Sequence, residues 1–371
     1  MNQKRRAKIQ IDLAALKHNA VIAKKMANGA RIMSAIKANA YGHGILEAAN
    51  ALKDVVDEFA VASIDDVINI RVNSSAKNIP ITVLSGFYSA DEIPIAIEKN
   101  VSLTVYDTHQ IDILLNHDFS KSHEQINIWL KVDTGMSRLG LAPTELDEYI
   151  IILERNEHVC IRGIMSHFAN ADKPEHELNH HQLDTFQQLR QRYEQKDWQW
   201  SLANSAALLA MSDAAYNWVR PGIMLYGSSP FANRNVAEFD LHPVMTFSSE
   251  VISIKKIKKD QAIGYGSTWT AEKDTQVAVV ACGYGDGYPR GIKSNTPVLV
   301  AGQKTRILGR VSMDLIVIEV TDITVQIGSK VVFWGDGLSI DEVALAANTI
   351  SYELLCNITA RVEREYINTK S

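Results

Sequence analysis

The sequence predicts an α/β fold: a barrel of strands alternating with helices, followed by a mostly antiparallel β domain. Up to about residue 230, short β-branched apolar runs are each followed by a polar, helix-like segment, and there are eight such runs. Each run is apolar throughout, the pattern of a strand covered on both faces. Beyond Leu241 the texture changes to alternation of apolar and polar residues between Gly, Asp and Pro turns. Together these observations predict an N-terminal (β/α)8 TIM-like barrel over residues 1–238 and a mostly β domain over 239–371.

The predicted barrel strands are RIMSAIKA from Arg31, EFAVAS from Glu58, ITVLSG from Ile81, VSLTVY from Val101, INIWLKVDTG from Ile126, CIRGIMSHF from Cys160, WSLANS from Trp200 and WVRPGIMLYG from Trp218. A doubly wound open sheet is the rival pattern for such a rhythm. In the second domain HPVMTFSSEVISIKKI, TQVAVVACGYGDGY, TPVLVAGQKTRILGRVSMDLIVIEV and SKVVFWGD read as β segments. A helix is expected from about Ser339 to Asn348, and the boundary between domains falls near Ala237 to His242.

Composition limits the functional classes. The chain has 371 residues and a formal net charge of -5, without the basic block that nucleic-acid binding requires. Its amino-terminal stretch is basic, but Gln10, Asp12 and Lys17 interrupt the apolar core of a signal peptide, and no later run is long and apolar enough to span a bilayer. A cytoplasmic protein is the expectation. The three cysteines, Cys160, Cys282 and Cys356, lack CxxC spacing and read as buried thiols rather than as a disulfide or zinc framework.

Barrel enzymes carry their chemistry at the carboxyl ends of the strands, so the polar residues closing each run are the candidates. Lys37 closes the first run, Lys131 and Asp133 with nearby Arg138 the fifth, His167 the sixth, Asn204 and Ser205 the seventh, and Arg220 with Gly222 the eighth. The loops after the last two strands are where such barrels commonly bind phosphate. Ser205 offers a hydroxyl there, and Gly222 lets backbone N–H groups approach an anion. A lysine facing a phosphate site fits pyridoxal 5'-phosphate, because a lysine amine forms Schiff bases with carbonyls and this cofactor is an electron sink for a carbanion.

The blocks AIKANAYGHG, KVDTGMSRLG, GIMSHF, NSAALL, VRPGIMLYG, IGYGSTW, CGYGDGYPR, GRVSMD and ISYELLC resemble, in order, those of bacterial alanine racemases. The resemblance implies interconversion of L- and D-alanine through a pyridoxal phosphate Schiff base, supplying D-alanine for peptidoglycan. It also implies a homodimer with shared active sites. Racemisation removes a proton from one face of a planar carbanion and returns one on the other, so two acid/base groups are expected. Lys37 is one, and the resemblance implies Tyr265 as the other, with His167 and Arg220 in its supporting network. A tyrosine, with an ordinary pKa of about 10, needs such support to act near neutrality.

The resemblance further implies that Arg220 faces the pyridine nitrogen. A guanidinium only donates, so that nitrogen stays unprotonated, and the carbanion spreads less into the ring. Tyr41, Ser205, Gly222, Ile223 and Tyr352 resemble the family's phosphate contacts, with Asn204 beside them. Arg138 would hold the phenolic oxygen and the substrate carboxylate. Lys131 carries a carbamate in many relatives, and here it would steady Arg138; unmodified, it would repel Arg138 or pair with Asp133. Met313 would line the substrate pocket, and Asp172, Tyr284, Arg290, Arg310 and Asp314 the entrance.

Other readings stay open at this stage. A barrel decarboxylase shares the lysine and phosphate logic, but would place an acid at the ring nitrogen. A non-catalytic carrier of the cofactor would not need the long β domain, and a racemase of broader specificity would keep every feature named. His176, His180 and His181 have helix spacing for a metal, yet a solvated polar face explains them better. GYGDGYP lacks the Lys-Ser/Thr of a nucleotide loop and reads as a tight turn presenting Tyr284. Glu363 and Leu315 depart from residues common in the family.

Overall fold

The computed structural model describes residues 6–121 and 125–368. It opens on strand β1 (Lys8–Asp12), and the Asp12 carboxylate then caps the helix Leu13–Met26 by accepting the N–H groups of Ala14 and Ala15. All eight predicted runs form strands: β2 (Arg31–Ala35), β3 (Glu58–Val61), β4 (Ile81–Val83), β5 (Ser102–Val105), β6 (Ile126–Lys131), β7 (Val159–Met165), β8 (Gln199–Asn204) and β9 (Trp218–Arg220). They pair in parallel, and β9 returns to β2, so the barrel is closed rather than doubly wound.

The second sheet is built from β10 (Met245–Ile257), β13 (Thr275–Val280), β14 (Pro297–Val300), β15 (Gln303–Arg306), β16 (Ile316–Glu319), β17 (Lys330–Trp334) and β18 (Glu363–Ile367), with β11 (Ala262–Ile263) and β12 (Trp269–Thr270) as a separate hairpin. Here the structure departs from the reading that gave the amino-terminal segment to the barrel. Strand β1 pairs antiparallel with β10 and parallel with β18. The physical signal is its alternation: Ile9 and Ile11 are buried while Lys8 faces solvent, which suits a sheet covered on one face and not a barrel strand. The expected helix spans Ile340–Ala347, capped by Ser339 and ended by Asn348 in the left-handed region. Of the three cysteines only Cys282 is buried; Cys160 is half-buried and Cys356 exposed, because Cys356 shares with Glu353 the outer face of the helix Ser351–Cys356, whose Leu354 and Leu355 take the core side.

The barrel floor is closed by charge. Glu58 on β3 and Arg162 on β7 come from opposite sides of the ring, yet form a bidentate pair at 2.5 and 2.7 Å, so they meet across the interior. Thr82 also donates to Glu58, and the Arg162 guanidinium lies over the Trp129 and Trp218 rings at 5.1 and 4.9 Å. Glu58 and Ser102 are the first residues of their strands, so this plug sits at the end opposite the strand termini that carry Lys37 and Arg220. Arg162→Ala would strand a fully buried carboxylate and is expected to lower stability by about 3–5 kcal/mol in urea unfolding. A loss within about 0.5 kcal/mol, as for an ordinary surface site, would show that the floor does not depend on the pair.

Candidate active site

Lys37 follows β2 at the mouth, where the chain makes an unusual turn. Ala38, Asn39, Ala40 and Tyr41 all have φ between 51° and 54°, a full left-handed turn of non-glycine residues, each costing on the order of 1–2 kcal/mol. It is held locally: Ala40 N–H donates to Ile36 O at 2.8 Å, and Gly42 N–H to Ala38 O at 3.0 Å. Asn39 Oδ1 accepts Ile45 N–H and so ties the turn to the next helix. Gly42 has φ 81°, and a Cβ there would stand 2.3 Å from the Leu355 carbonyl oxygen, so only glycine lets the helix Ser351–Cys356 press onto the turn. Strain concentrated beside one lysine is characteristic of a functional position.

The groups around Lys37 form a cationic bowl. The Lys37 side chain reaches the open mouth, yet its pKa lies below the ordinary lysine value, first through burial and then through Arg138, with Cys356 opposing and Arg220 adding to the depression. Lys131 is pulled down to about 8 by burial, Arg220, Arg138 and Lys37, and Asp133 opposes this only weakly. The reason is visible in the loop: Asp133 Oδ1 accepts the N–H groups of Gly135, Met136 and Ser137 at 2.9 to 3.1 Å, building the turn toward Arg138. His167 is held well below its ordinary value by burial and then by Arg220, Lys131, Arg138 and Lys37, so it is a neutral imidazole.

Arg220 is buried beneath these groups. It donates to Ser201 Oγ at 2.5 Å, to the Ser166 carbonyl, and at 3.4 Å to the Leu202 carbonyl and His167 Nδ1. A proton-accepting Nδ1 puts the His167 proton on Nε2. Burial lowers the Arg220 pKa to about 10, which leaves it charged at neutral pH. Its Nε–H takes no protein acceptor among the described residues, so this donor is left free for a ligand.

An anion cradle lies beside it. Ser205 Oγ accepts Gly222 N–H at 2.8 Å, while the Ile223 N–H opens a 3-10 turn and has no intrahelical acceptor. The Tyr41 hydroxyl lies over Gly222, where an added Cβ would come within 2.7 Å of it. Tyr41 stacks on Tyr226 at 4.8 Å and meets Tyr352 at 5.8 Å. Burial raises the pKa of both Tyr41 and Tyr352, so their hydroxyls remain donors. Hydroxyl and amide donors over a glycine, with no carboxylate in the set, fit a phosphate ester. Asn204 sits beside them with its Oδ1 turned to Ala207 N–H, capping the helix Ser205–Ala210.

The β-domain candidates form a second group. Tyr265 opens a 3-10 turn between β11 and β12, is 70% exposed, and its hydroxyl bonds to nothing among the described residues. Neither His167 nor Arg220 supports it within this chain. The Arg310 guanidinium lies against Gly266, the next residue. Tyr284 N–H donates to Ser312 O, and Gly285 N–H to Met313 O, so GYGDGYP and SMD brace each other. Met313 is 53% exposed, and Tyr284, Arg290, Asp314 and Asp172 are also exposed.

Three participants escaped the sequence reading. Arg361 ties Asp286 at 3.2 Å to Asp314 at 2.5 Å, Tyr226 packs behind Tyr41, and Cys356 lies close enough to Lys37 to feel its charge. Tyr226 and Cys356 stand within the quoted blocks VRPGIMLYG and ISYELLC, but nothing in the spacing assigned them. His176, His180 and His181 are exposed, and His176 caps the helix Glu177–Arg192. Elsewhere His18, Asp240 and His242 cluster, but the two imidazoles stack nearly parallel with centroids 4.1 Å apart. One ion cannot lie along both lone pairs in that arrangement.

A closed barrel whose mouth gathers a strained lysine turn, a buried arginine and an anion cradle defines a lysine-centred barrel enzyme. Residues 11–230 match the family description "Alanine racemase, N-terminal domain", and residues 244–366 match "Alanine racemase, C-terminal domain". The chain belongs to the alanine racemase family. It is 41% identical to an alanine racemase of Hahella chejuensis over 96% of this chain and 97% of the relative. It is 42% identical to that of Alcanivorax borkumensis over 98% of this chain and the whole of the relative. The crystal structure of the biosynthetic alanine racemase from Pseudomonas aeruginosa superposes with a TM-score of 0.92 at 40% identity, covering 98% of this chain and 99% of that one.

Proposed function

We propose that this chain interconverts L- and D-alanine as a cytoplasmic, pyridoxal 5'-phosphate-dependent homodimer, supplying D-alanine for peptidoglycan. The observation that carries the reading is the convergence at one mouth of Lys37, the free Nε–H of Arg220 and the cradle in which Tyr41, Ser205 and Ile223 offer donors over the bare backbone of Gly222. Residues 1–238 serve as the cofactor-binding unit and 239–371 as the unit that completes the site, with β1 lent to the second sheet.

When bound, pyridoxal phosphate supplies the electron sink that makes the α-proton of alanine acidic. The cradle would hold its phosphate, with Tyr352 at the rim, and the unpaired Arg220 Nε–H would serve as the donor to the ring nitrogen. Because the Arg220 guanidinium only donates and has no site that accepts a proton, it would leave that nitrogen unprotonated and so favour return of the proton to the substrate carbon. A decarboxylase would need an acid in that place. Arg138 orients the substrate carboxylate from the exposed side of the mouth. Lys37 Nζ, made less basic by burial and by Arg138, exists more readily as the free amine that accepts a proton on one face. Tyr265 Oη gives or takes the proton on the other face. Its exposure in a single chain, with that of Met313, Tyr284 and Asp314, is the state expected of residues that a second copy presents to this mouth, beside Asp172, Arg290 and Arg310. A pocket walled by Tyr265, Tyr352 and Met313 suits a methyl side chain, although one methylene is discriminated by only about 1–3 kcal/mol.

Lys131 is expected to carry a carbamate. Its folded pKa of about 8 lies below the ordinary lysine value of 10.5, so between those pH values the unfolded chain keeps a proton the native state has lost, and stability rises with pH across that window. Below it both states are charged and the native one bears the full crowding of Arg220, Arg138 and Lys37. A carbamate reverses that charge. Protein in 13C-bicarbonate should therefore show a carbamate carbon resonance that Lys131→Ala lacks; a resonance surviving that substitution would place the modification elsewhere.

The reading as a whole is tested by incubating purified protein with pyridoxal phosphate and L-alanine while following optical rotation and visible absorbance. Rotation should decay to zero with the amino acid intact. A lysine-adduct band with unchanged rotation would leave a cofactor site without this activity.

A further inference from the structure

The turn that follows Lys37 has an internal brace that the chemistry above does not use. His43 is only 1% exposed, and its Nδ1 lies 3.0 Å from the Ala40 carbonyl oxygen and 2.9 Å from that of Tyr41. Two acceptors at one ring nitrogen require it to be the donor, so the imidazole carries its proton on Nδ1 and shares it between both carbonyls. The Tyr41 carbonyl has no other donor among the described residues. The Nε2 of His43 is buried without a partner, which a bare lone pair tolerates better than an N–H. The ring stacks on Tyr226 at 4.6 Å, the same tyrosine that backs Tyr41.

The setting also holds the ring neutral. Burial brings its pKa down to about 4, the two carbonyls oppose this, and the Arg364 charge adds to the depression. Arg364 itself donates from Nε to the Gly42 carbonyl at 3.2 Å. Every carbonyl from Ala40 to Gly42 is thus met by a donor from outside the usual helical pattern. A left-handed turn of non-glycine residues persists only when its surroundings over-determine it.

Resting on the assignment of Lys37 as the cofactor-bearing residue, we propose that His43 is a positioning residue. As the neutral Nδ1–H tautomer it fixes the left-handed turn 38–41, and so sets the Lys37 amine and the Tyr41 hydroxyl at their separation across the mouth. It touches neither substrate nor cofactor. Its effect is exerted through the Ala40 and Tyr41 carbonyls.

The side-chain chemistry supplies a discriminating series. Asparagine places an N–H the same number of bonds from the backbone as Nδ1, glutamine places one where Nε2 stands, and leucine fills the volume with no donor. Full-length wild type, His43→Asn, His43→Gln and His43→Leu are titrated with pyridoxal phosphate, following the visible band of the lysine adduct. Amide hydrogen exchange of residues 38–44 is measured on the same proteins without added cofactor. His43→Leu should need at least about tenfold more pyridoxal phosphate for half-maximal band and exchange residues 38–44 at least about tenfold faster, the scale of one orphaned buried acceptor. Exchange in the other barrel strands should be unchanged. His43→Asn should return both readouts to within about threefold of wild type, and His43→Gln should resemble leucine.

Wild-type behaviour of His43→Leu overturns the proposal, as does an asparagine variant as impaired as leucine. If the leucine protein does not fold, the asparagine and glutamine pair decides alone, and equal behaviour of the two refutes it. A wild-type protein that gives no lysine band would count against the reading of Lys37, whereas the exchange data still judge His43.

Discussion

Lys37→Ala is expected to abolish conversion of both alanine enantiomers, lowering kcat/KM by more than about 10⁴-fold, the upper range for one positioned acid/base group with its covalent role removed as well. The visible band of a lysine adduct should vanish. The phosphate cradle does not depend on the lysine: Ser205, Gly222, Ile223 and the Tyr41 hydroxyl are arranged by β8, β9 and their own turns. The variant should therefore still bind pyridoxine phosphate, which cannot condense with an amine. Retained turnover in this protein would remove the lysine from the mechanism altogether.

Tyr265→Phe is the second large effect. Deleting one hydroxyl from a residue that is 70% exposed in the single chain should leave folding and cofactor absorbance unchanged. Racemisation should nevertheless fall by about 10²–10⁴-fold, because one face of the substrate carbon loses its proton donor and acceptor. Exchange of the α-proton with solvent should fall less for the enantiomer that presents its proton to Lys37. Unimpaired conversion in both directions would refute the two-base assignment.

The barrel was legible because its strands are covered on both faces and so read as unbroken apolar runs, from RIMSA to WVR. The mouth followed from which polar residue ends each run, which is how Lys37, His167, Ser205 and Arg220 came together. Strand β1 was not legible as part of the second sheet, since its partners lie more than 200 residues away and only the alternation of Ile9 and Ile11 hints at it. The Glu58–Arg162 plug was equally hidden: a contact between residues 104 apart needs the closure of the ring to be known first. His43 stands inside the block that drew attention to Lys37, yet its role depends on which way two carbonyls point in a left-handed turn, and residue types do not encode that. The relation between Lys37 and Tyr265 depends on how many copies of the chain build one site, which a single chain's residue pattern does not carry.

That relation is the centre of the account, and mixing the two inactive variants tests it directly. Lys37→Ala subunits keep Tyr265, and Tyr265→Phe subunits keep Lys37. If each site takes its lysine from one copy and its tyrosine from the other, a randomly reassociated equimolar mixture contains one intact site in about half of its dimers, and should recover about a quarter of wild-type racemase activity. No recovery above the two variants alone, with mixed dimers shown to have formed, would contradict a shared site.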